Sequence, residues 1–179
     1  HDLLQGGLVA RRARKGEKVR TLDGVERALS VEDLVIADGS RAVGLAGIMG
    51  GEETEVSSAT RNVLLEAANF EPIGILRSSE RHSLRTEGSN RWEKGVDPYV
   101  AGQAATYATQ LIVELSGGRW TGAEDVQGKL PKAAVIRLRP ERANDLIGLE
   151  VPAEEQGEIL TRLGFKELKS GFRVPTWRA

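Results

Sequence analysis

The stretch GLAGIMGGEETEVSSATRNVLLEAANFEPIGILRSSERHSLRTEGSNRWEKGVDP, running from Gly44 to Pro98, decides how the rest of the chain is read. Four glycines, Gly44, Gly47, Gly50 and Gly51, crowd the end of an expected strand, where a missing side chain lets another group approach the backbone. Glu66 stands inside the apolar run Val63-Leu64-Leu65-Glu66-Ala67-Ala68. If Asn62 to Asn69 is a strand, alternate side chains share a face, so Leu64, Glu66 and Ala68 point one way. A carboxylate covered on that face must be satisfied by donors, because a bare buried charge is very costly. Either an ion pair with Arg77, Arg81 or Arg85 supplies them, or a ligand does. Pro72 opens a helix expected to run to about His82, and the polar turn Arg85-Thr86-Glu87-Gly88-Ser89-Asn90 then closes over the same place. The three features together predict a pocket with a buried polar reader.

Outward from this stretch, the N-terminal side reads as antiparallel sheet. Leu8 to Ala13 and Lys18 to Leu22 have strand character, and Asp23-Gly24 turns into Val25 to Leu29. Asp38-Gly39 repeats the signal between Leu34-Val35-Ile36-Ala37 and Ala42 to Ile48. On the C-terminal side Arg91 to Gly95 is expected to return as a strand. Asp97-Pro98 then reads as N-cap and first helical residue of a helix whose apolar positions, Val100, Ala104, Ala108, Leu111, Ile112 and Leu115, predict a core face ending at Gly117-Gly118. Trp120 to Val126 is a further strand candidate, and Gln127 to Lys132 has linker composition. Beyond it come a strand at Ala134 to Leu138, helices from Pro140 to Gly148 and from Pro152 to Gly164, and a hairpin from Phe165 to Pro175.

Composition bounds the possibilities. The 179 residues are 40% hydrophobic and 28% charged with a net charge of -1, which describes a globular chain without a polyelectrolyte character. Nucleic-acid contact would therefore use a local patch. The one such patch is Arg11 to Arg20, six cations against one acid, which reads either as a phosphate contact or as the charged protection of an edge strand. There is no cysteine, so disulfides, thiolate nucleophiles and cysteine zinc sites are excluded, and two histidines, His1 and His82, do not make a histidine metal centre. His82 reads as a helix-end residue facing the dipole. No serine, histidine and acid form a triad motif. No apolar run approaches a membrane span and no signal-peptide core is present, so the cytoplasm is the expected compartment. Both termini read as cut.

The GG turn, the LLE-A strand, the RH-LRTE-S loop and the GVDP helix start resemble the editing domain of the bacterial phenylalanyl-tRNA synthetase beta subunit. Val19 to Ser30 is similar to the hairpin that precedes it, and Val135 to Arg178 to the start of the next domain, a small nucleic-acid-binding-like module. The resemblance implies an internal fragment: residues 1–127 as the editing, tRNA-binding domain and 133–179 as a truncated following domain. Its implied partners are tRNA(Phe) and the alpha subunit of a heterotetramer, with no membrane. ATP and magnesium are implied for the parent enzyme's ligation, with no cofactor in the fragment. The family's magnesium-binding carboxylates would follow Val174 to Arg178 and so lie beyond this chain.

The implied pocket carries over residue by residue. The family's backbone glycine matches Gly47 by its spacing to the acid, with Gly50 as neighbouring candidate. The acidic reader of a mischarged tyrosine's hydroxyl matches Glu66, and the pocket threonine matches Thr86. The small residue two beyond, commonly alanine in the family, is Gly88 here. A further family histidine lies upstream of residues 1–10, and His1 does not align with it. The catalytic group is unassigned; a positioned water, helped by the tRNA's terminal hydroxyl, is the implied nucleophile. The expected fold is therefore α+β, a large mixed or antiparallel sheet with packed helices followed by a small α/β module. The expected function is post-transfer editing, with a non-catalytic RNA-binding or subunit-interface module as the alternative.

Overall fold

The structure, a computed structural model, describes residues 1–178. The elements run β1 (Val9–Arg12), β2 (Lys18–Arg20), β3 (Glu26–Ala28), β4 (Leu34–Ala37), β5 (Ala42–Leu45), β6 (Met49–Gly50), a 3-10 turn (Glu52–Thr54), α1 (Pro72–Arg81), α2 (Glu87–Trp92), α3 (Ala101–Ser116), β7 (Val135–Ile136), α4 (Pro140–Ile147), α5 (Ala153–Arg162), β8 (Lys166–Leu168) and β9 (Gly171–Arg173). The class is α+β, as the residue pattern predicts, and every strand pairing is antiparallel. The chain divides into two compact units, His1–Val96 with Val100–Gly122, and Asp97–Tyr99 with Ala123 onward.

In the first unit, β1-β4-β5-β6 form one sheet and β2-β3 a hairpin. Both turns flagged by Asp-Gly form as the side-chain chemistry requires. Asp23 accepts from the Thr21 hydroxyl at 2.6 Å and takes two bonds from Arg27, each 2.8 Å. Asp38 accepts the backbone N–H groups of Ser40 and Arg41 at 2.8 and 2.9 Å, mimicking a backbone turn. β4 is the spine of the core: Val35 and Ala37 are fully buried, and α1 covers the strand with Ile75, which is 2% exposed. Truncating a side chain buried to that degree costs about 2–5 kcal/mol. α1 begins where Pro72 fixes φ, and the Glu71 carboxylate caps it by accepting from Ile73 and Gly74 N–H at 3.0 and 2.6 Å.

Several expectations are corrected. Asn62 to Asn69 is not a strand: a strand needs a neighbour's hydrogen bonds, and the backbone N–H groups of Arg61 and Asn62 go instead to the Asp2 carboxylate at 2.8 and 2.9 Å. Val63, Leu64, Leu65 and Glu66 are consequently exposed. Arg85 to Asn90 is the start of a helix rather than a plain turn, because Thr86 and Ser89 complete a reciprocal capping box; α2 then runs through Trp92, where a strand was expected. Trp120 to Val126 forms no strand among the described residues. The long helix is present as α3, but it has no buried residue, with Tyr107 at 65% and Leu115 at 84% exposure. Asp97 caps only a local turn, accepting from Tyr99 N–H at 2.9 Å, so α3 opens three residues after Pro98.

The second unit is a three-stranded sheet, β7-β9-β8, with α4 and α5. Phe165 and Phe172 are its buried aromatics. Buried Gln156 joins α5 to α4 through Asn144 at 2.9 Å and to the connecting segment through the Val151 carbonyl at 2.9 Å.

Candidate ligand pocket

The pocket is built around the turn that joins β5 to β6. Gly47 sits there with φ +68°, a left-handed conformation that strains any residue with a Cβ. Space is also lacking: an added Cβ would lie 2.9 Å from Phe70 Cδ2 and 3.1 Å from Ile75 Cδ1. Phe70 in turn packs on Trp92 of α2, ring centroids 6.1 Å apart. Behind the turn, the Thr86 hydroxyl donates to the Ile48 carbonyl at 2.9 Å, and a Cβ on Gly88 would come within 3.1 Å of the Gly47 carbonyl oxygen. The N-terminus of α2 is thus seated directly against the glycine turn.

In front of the turn lies a cavity of about 410 Å³ whose walls include Leu8, Ile36, Val43, Gly47, Gly50 and Glu66. Two of the predicted glycines and the predicted acid therefore meet in one recess. Thr86 and Gly88 do not line it; they contact Ile48 and Gly47, which do.

Glu66 makes no ion pair or hydrogen bond among the described residues. Its three candidate partners are disposed otherwise: Arg81 binds Glu32 at 2.7 Å and also Asp33, Arg85 binds Glu93 at 2.9 Å, and Arg77 forms no ion pair among the described residues. Although the residue is exposed as a whole, desolvation by the surrounding protein raises the pKa of its carboxyl group. The result is an unpaired acceptor at a cavity wall. Glu55 and Asp2 also line the recess, and no lysine or arginine does.

Asp2 is a residue that sequence reading missed. Besides the two N–H groups of Arg61 and Asn62, it accepts from the Asn62 side chain at 2.6 Å. The backbone bond from Asn62, with the side-chain bond behind it, holds its pKa at about 2. This tether lies 59 and 60 residues away in sequence, and no local motif signals it.

His82 also has a partner that its sequence position did not announce. Its Nε2 lies 2.7 Å from Asp33, which is fully buried, and the Ser78 hydroxyl donates to the other oxygen of the same carboxylate at 2.7 Å. Burial opposes the Asp33 charge most strongly, but the bonds from His82, Ser78 and the Ser30 N–H outweigh it and lower the pKa. Serine and histidine here both bond the acid rather than each other. The cluster clamps α1 to the turn before β4 and is not a nucleophilic triad.

Residues 1–117 match the family model described as the B3/4 domain. Across the whole chain, the phenylalanine–tRNA ligase beta subunit of Leifsonia xyli subsp. xyli is 45% identical over 181 residues, covering 99% of this chain and 21% of that protein. The beta subunit of Yersinia pestis is 42% identical over 183 residues, 99% of this chain and 23% of that protein. That of Geobacter metallireducens is 47% identical over 167 residues, 92% of this chain and 21% of that protein. The chain spans about a fifth of the length of the curated relatives it matches.

Proposed function

Because this chain belongs to the B3/4 domain family, we propose that its cavity is the post-transfer editing site of a phenylalanine–tRNA ligase beta subunit, where tyrosine wrongly esterified to tRNA(Phe) is hydrolysed. The observation that carries the reading is the unpaired Glu66 carboxylate at the wall of the 410 Å³ recess, which Gly47 and Gly50 also line. Tyrosine and phenylalanine differ by one hydroxyl. A site built to hydrogen-bond that group separates the two by about 10⁴–10⁵, because its polar reader is otherwise left unpaired. Glu66 accepts the phenolic proton's hydrogen bond; Gly47 and Gly50 leave room for the ring; Thr86 and Gly88 hold the turn in register. A water placed beside the ester carbonyl is the nucleophile, assisted by the neighbouring hydroxyl of the terminal ribose. In the longer protein, ligation with ATP and magnesium and assembly with an alpha subunit belong to the same reading.

The test is release of tyrosine from Tyr-tRNA(Phe), measured beside release of phenylalanine from Phe-tRNA(Phe), for this chain and for the intact beta-subunit enzyme. Selective tyrosine release by the intact enzyme that vanishes when the Glu66 cavity is blocked is the expected result. One observation favours a second reading, a non-catalytic RNA-binding or interface module: Val63, Leu64 and Leu65 present apolar side chains to solvent at 41–49% exposure. Binding without ester hydrolysis in the same assay selects that reading instead.

A further inference from the structure

The basic stretch Arg11 to Arg20 is sorted by the structure according to what each cation already touches. Arg11 is engaged: it forms a two-pronged pair with Glu17 at 2.6 and 2.9 Å, with the side chains only 19% and 12% exposed. Arg12 donates to the Glu32 carbonyl. Lys18 and Arg20 line a second recess of about 180 Å³ together with Arg41, which immediately precedes β5, and with Glu26 and Glu53; Arg20 also donates to the Gly24 carbonyl at 2.9 Å. Val43 and Thr54 line this recess and the Glu66 cavity alike, so the two are neighbours.

The three cations of this cleft have acidic partners of a weak kind. Lys18 pairs with Glu26 at 2.8 Å, Arg20 with Glu52 at 3.6 Å and Arg41 with Glu53 at 2.6 Å, and all six side chains are 45–61% exposed. Exposed pairs are weak because solvent screens them and ordering two long side chains offsets their attraction, so a better anion can exchange with them. A phosphate is such an anion: it carries the geometry that guanidinium forks match, and binding it releases condensed counterions. No aromatic residue lines the recess, which suits backbone contact without base stacking.

We propose that Lys18, Arg20 and Arg41 form a phosphate-binding cleft for the RNA strand whose 3′-terminal ester enters the Glu66 cavity. The identity of the RNA rests on the editing reading; the anion chemistry of the cleft does not.

The test measures binding of the 179-residue chain to fluorescently labelled tRNA(Phe) across a salt series, for the unaltered chain and the triple variant Lys18→Gln, Arg20→Gln, Arg41→Gln. The slope of log affinity against log salt should flatten by about 2–3 in the triple variant, at roughly 0.7–0.9 per lost phosphate contact. The control Arg14→Gln, Lys15→Gln removes cations of the same segment that lie outside the cleft, and should leave the slope in place. Melting curves confirm that each variant is folded. An unchanged slope in a folded triple variant, equal flattening in the control, or no tRNA binding by the unaltered chain at low salt would each overturn the proposal. So would a cleft that binds a polyglutamate peptide in preference to tRNA. A flattened slope together with no tyrosine release from Tyr-tRNA(Phe) by the intact enzyme sinks the editing reading and leaves the cleft standing; tyrosine release with an unchanged slope does the reverse.

Discussion

The Thr86 hydroxyl holds two elements at once: it donates to the Ile48 carbonyl at 2.9 Å and accepts the Ser89 N–H at 3.0 Å. The first bond grips the glycine turn lining the cavity and the second caps α2, so the position of the turn is tied to the start of the helix.

Replacing Thr86 with valine keeps the shape and removes both bonds. Loss of an N-cap and of one further hydrogen bond should destabilise the first unit by about 1–2 kcal/mol, read by chemical or thermal denaturation. Thr86→Ser retains the hydroxyl and should stay near the parent. Equal stability of the valine and serine variants would remove Thr86 from this role.

Gly47→Ala should be strongly destabilising. The left-handed backbone at φ +68° costs a residue with a Cβ about 1–2 kcal/mol, and the contact with Phe70 and Ile75 adds to it. A bulky residue here therefore tests folding rather than pocket volume. Gly88 is the cleaner probe of the turn, since its neighbour is the Gly47 carbonyl and its own φ is ordinary; a folded Gly88→Trp protein with unaltered deacylation would show that this contact does not shape the site.

On the proposed function, Glu66→Ala in the intact enzyme should slow hydrolysis of Tyr-tRNA(Phe) by about 10–100-fold, the loss of one charged hydrogen bond of roughly 1.5–3 kcal/mol. The gap between Tyr-tRNA and Phe-tRNA should narrow. Because Glu66 has no partner among the described residues, its melting temperature should hardly move. A variant that preserves the original ratio of the two rates is inconsistent with Glu66 as reader.

Acid should act through Glu17. Its side chain is 12% exposed, and the Arg11 guanidinium, with backbone N–H groups of Arg14 and Ala42, brings its pKa from 4.5 to about 2 against the opposing effect of burial. A carboxylate with a lowered folded-state pKa stabilises fully above its unfolded value and loses that contribution as the pH falls. Stability should thus drop by on the order of 2–3 kcal/mol between pH 4.5 and about 2, and Glu17→Gln should remove this part of the slope. Denaturation midpoints at a series of pH values measure it.

We propose a domain boundary within Gln127 to Lys132, where the residues form no helix or strand and are largely exposed. A non-specific protease should make its first cut in this window, mapped by mass spectrometry. First cleavage inside Ala101–Ser116 would contradict the division.

Elements whose causes are local are legible in the residues themselves. Asp23 and Asp38 shape their turns by accepting from donors a few residues away; Pro72 and Pro140 open α1 and α4; Gly117 and Gly148 end α3 and α4 in left-handed conformations. The ordered motifs of Gly44 to Pro98 likewise sufficed to point to the family. Relationships across long separations come instead from the packed fold. Whether Asn62 to Asn69 became a strand depended on a partner, and the Asp2 carboxylate took the backbone donors of Arg61 and Asn62 instead. Apolar spacing along α3 announced a core face, but burial requires a facing surface, which a helix's own periodicity cannot supply. Glu66 is free for the same kind of reason. Each nearby arginine had a choice of carboxylates, and Arg81 found Glu32 and Asp33 because β4 and α1 pack together. Local chemistry fixes caps and turns through bonds within a few residues; pairing, burial and the state of a carboxylate follow from which distant groups the fold brings within hydrogen-bonding reach.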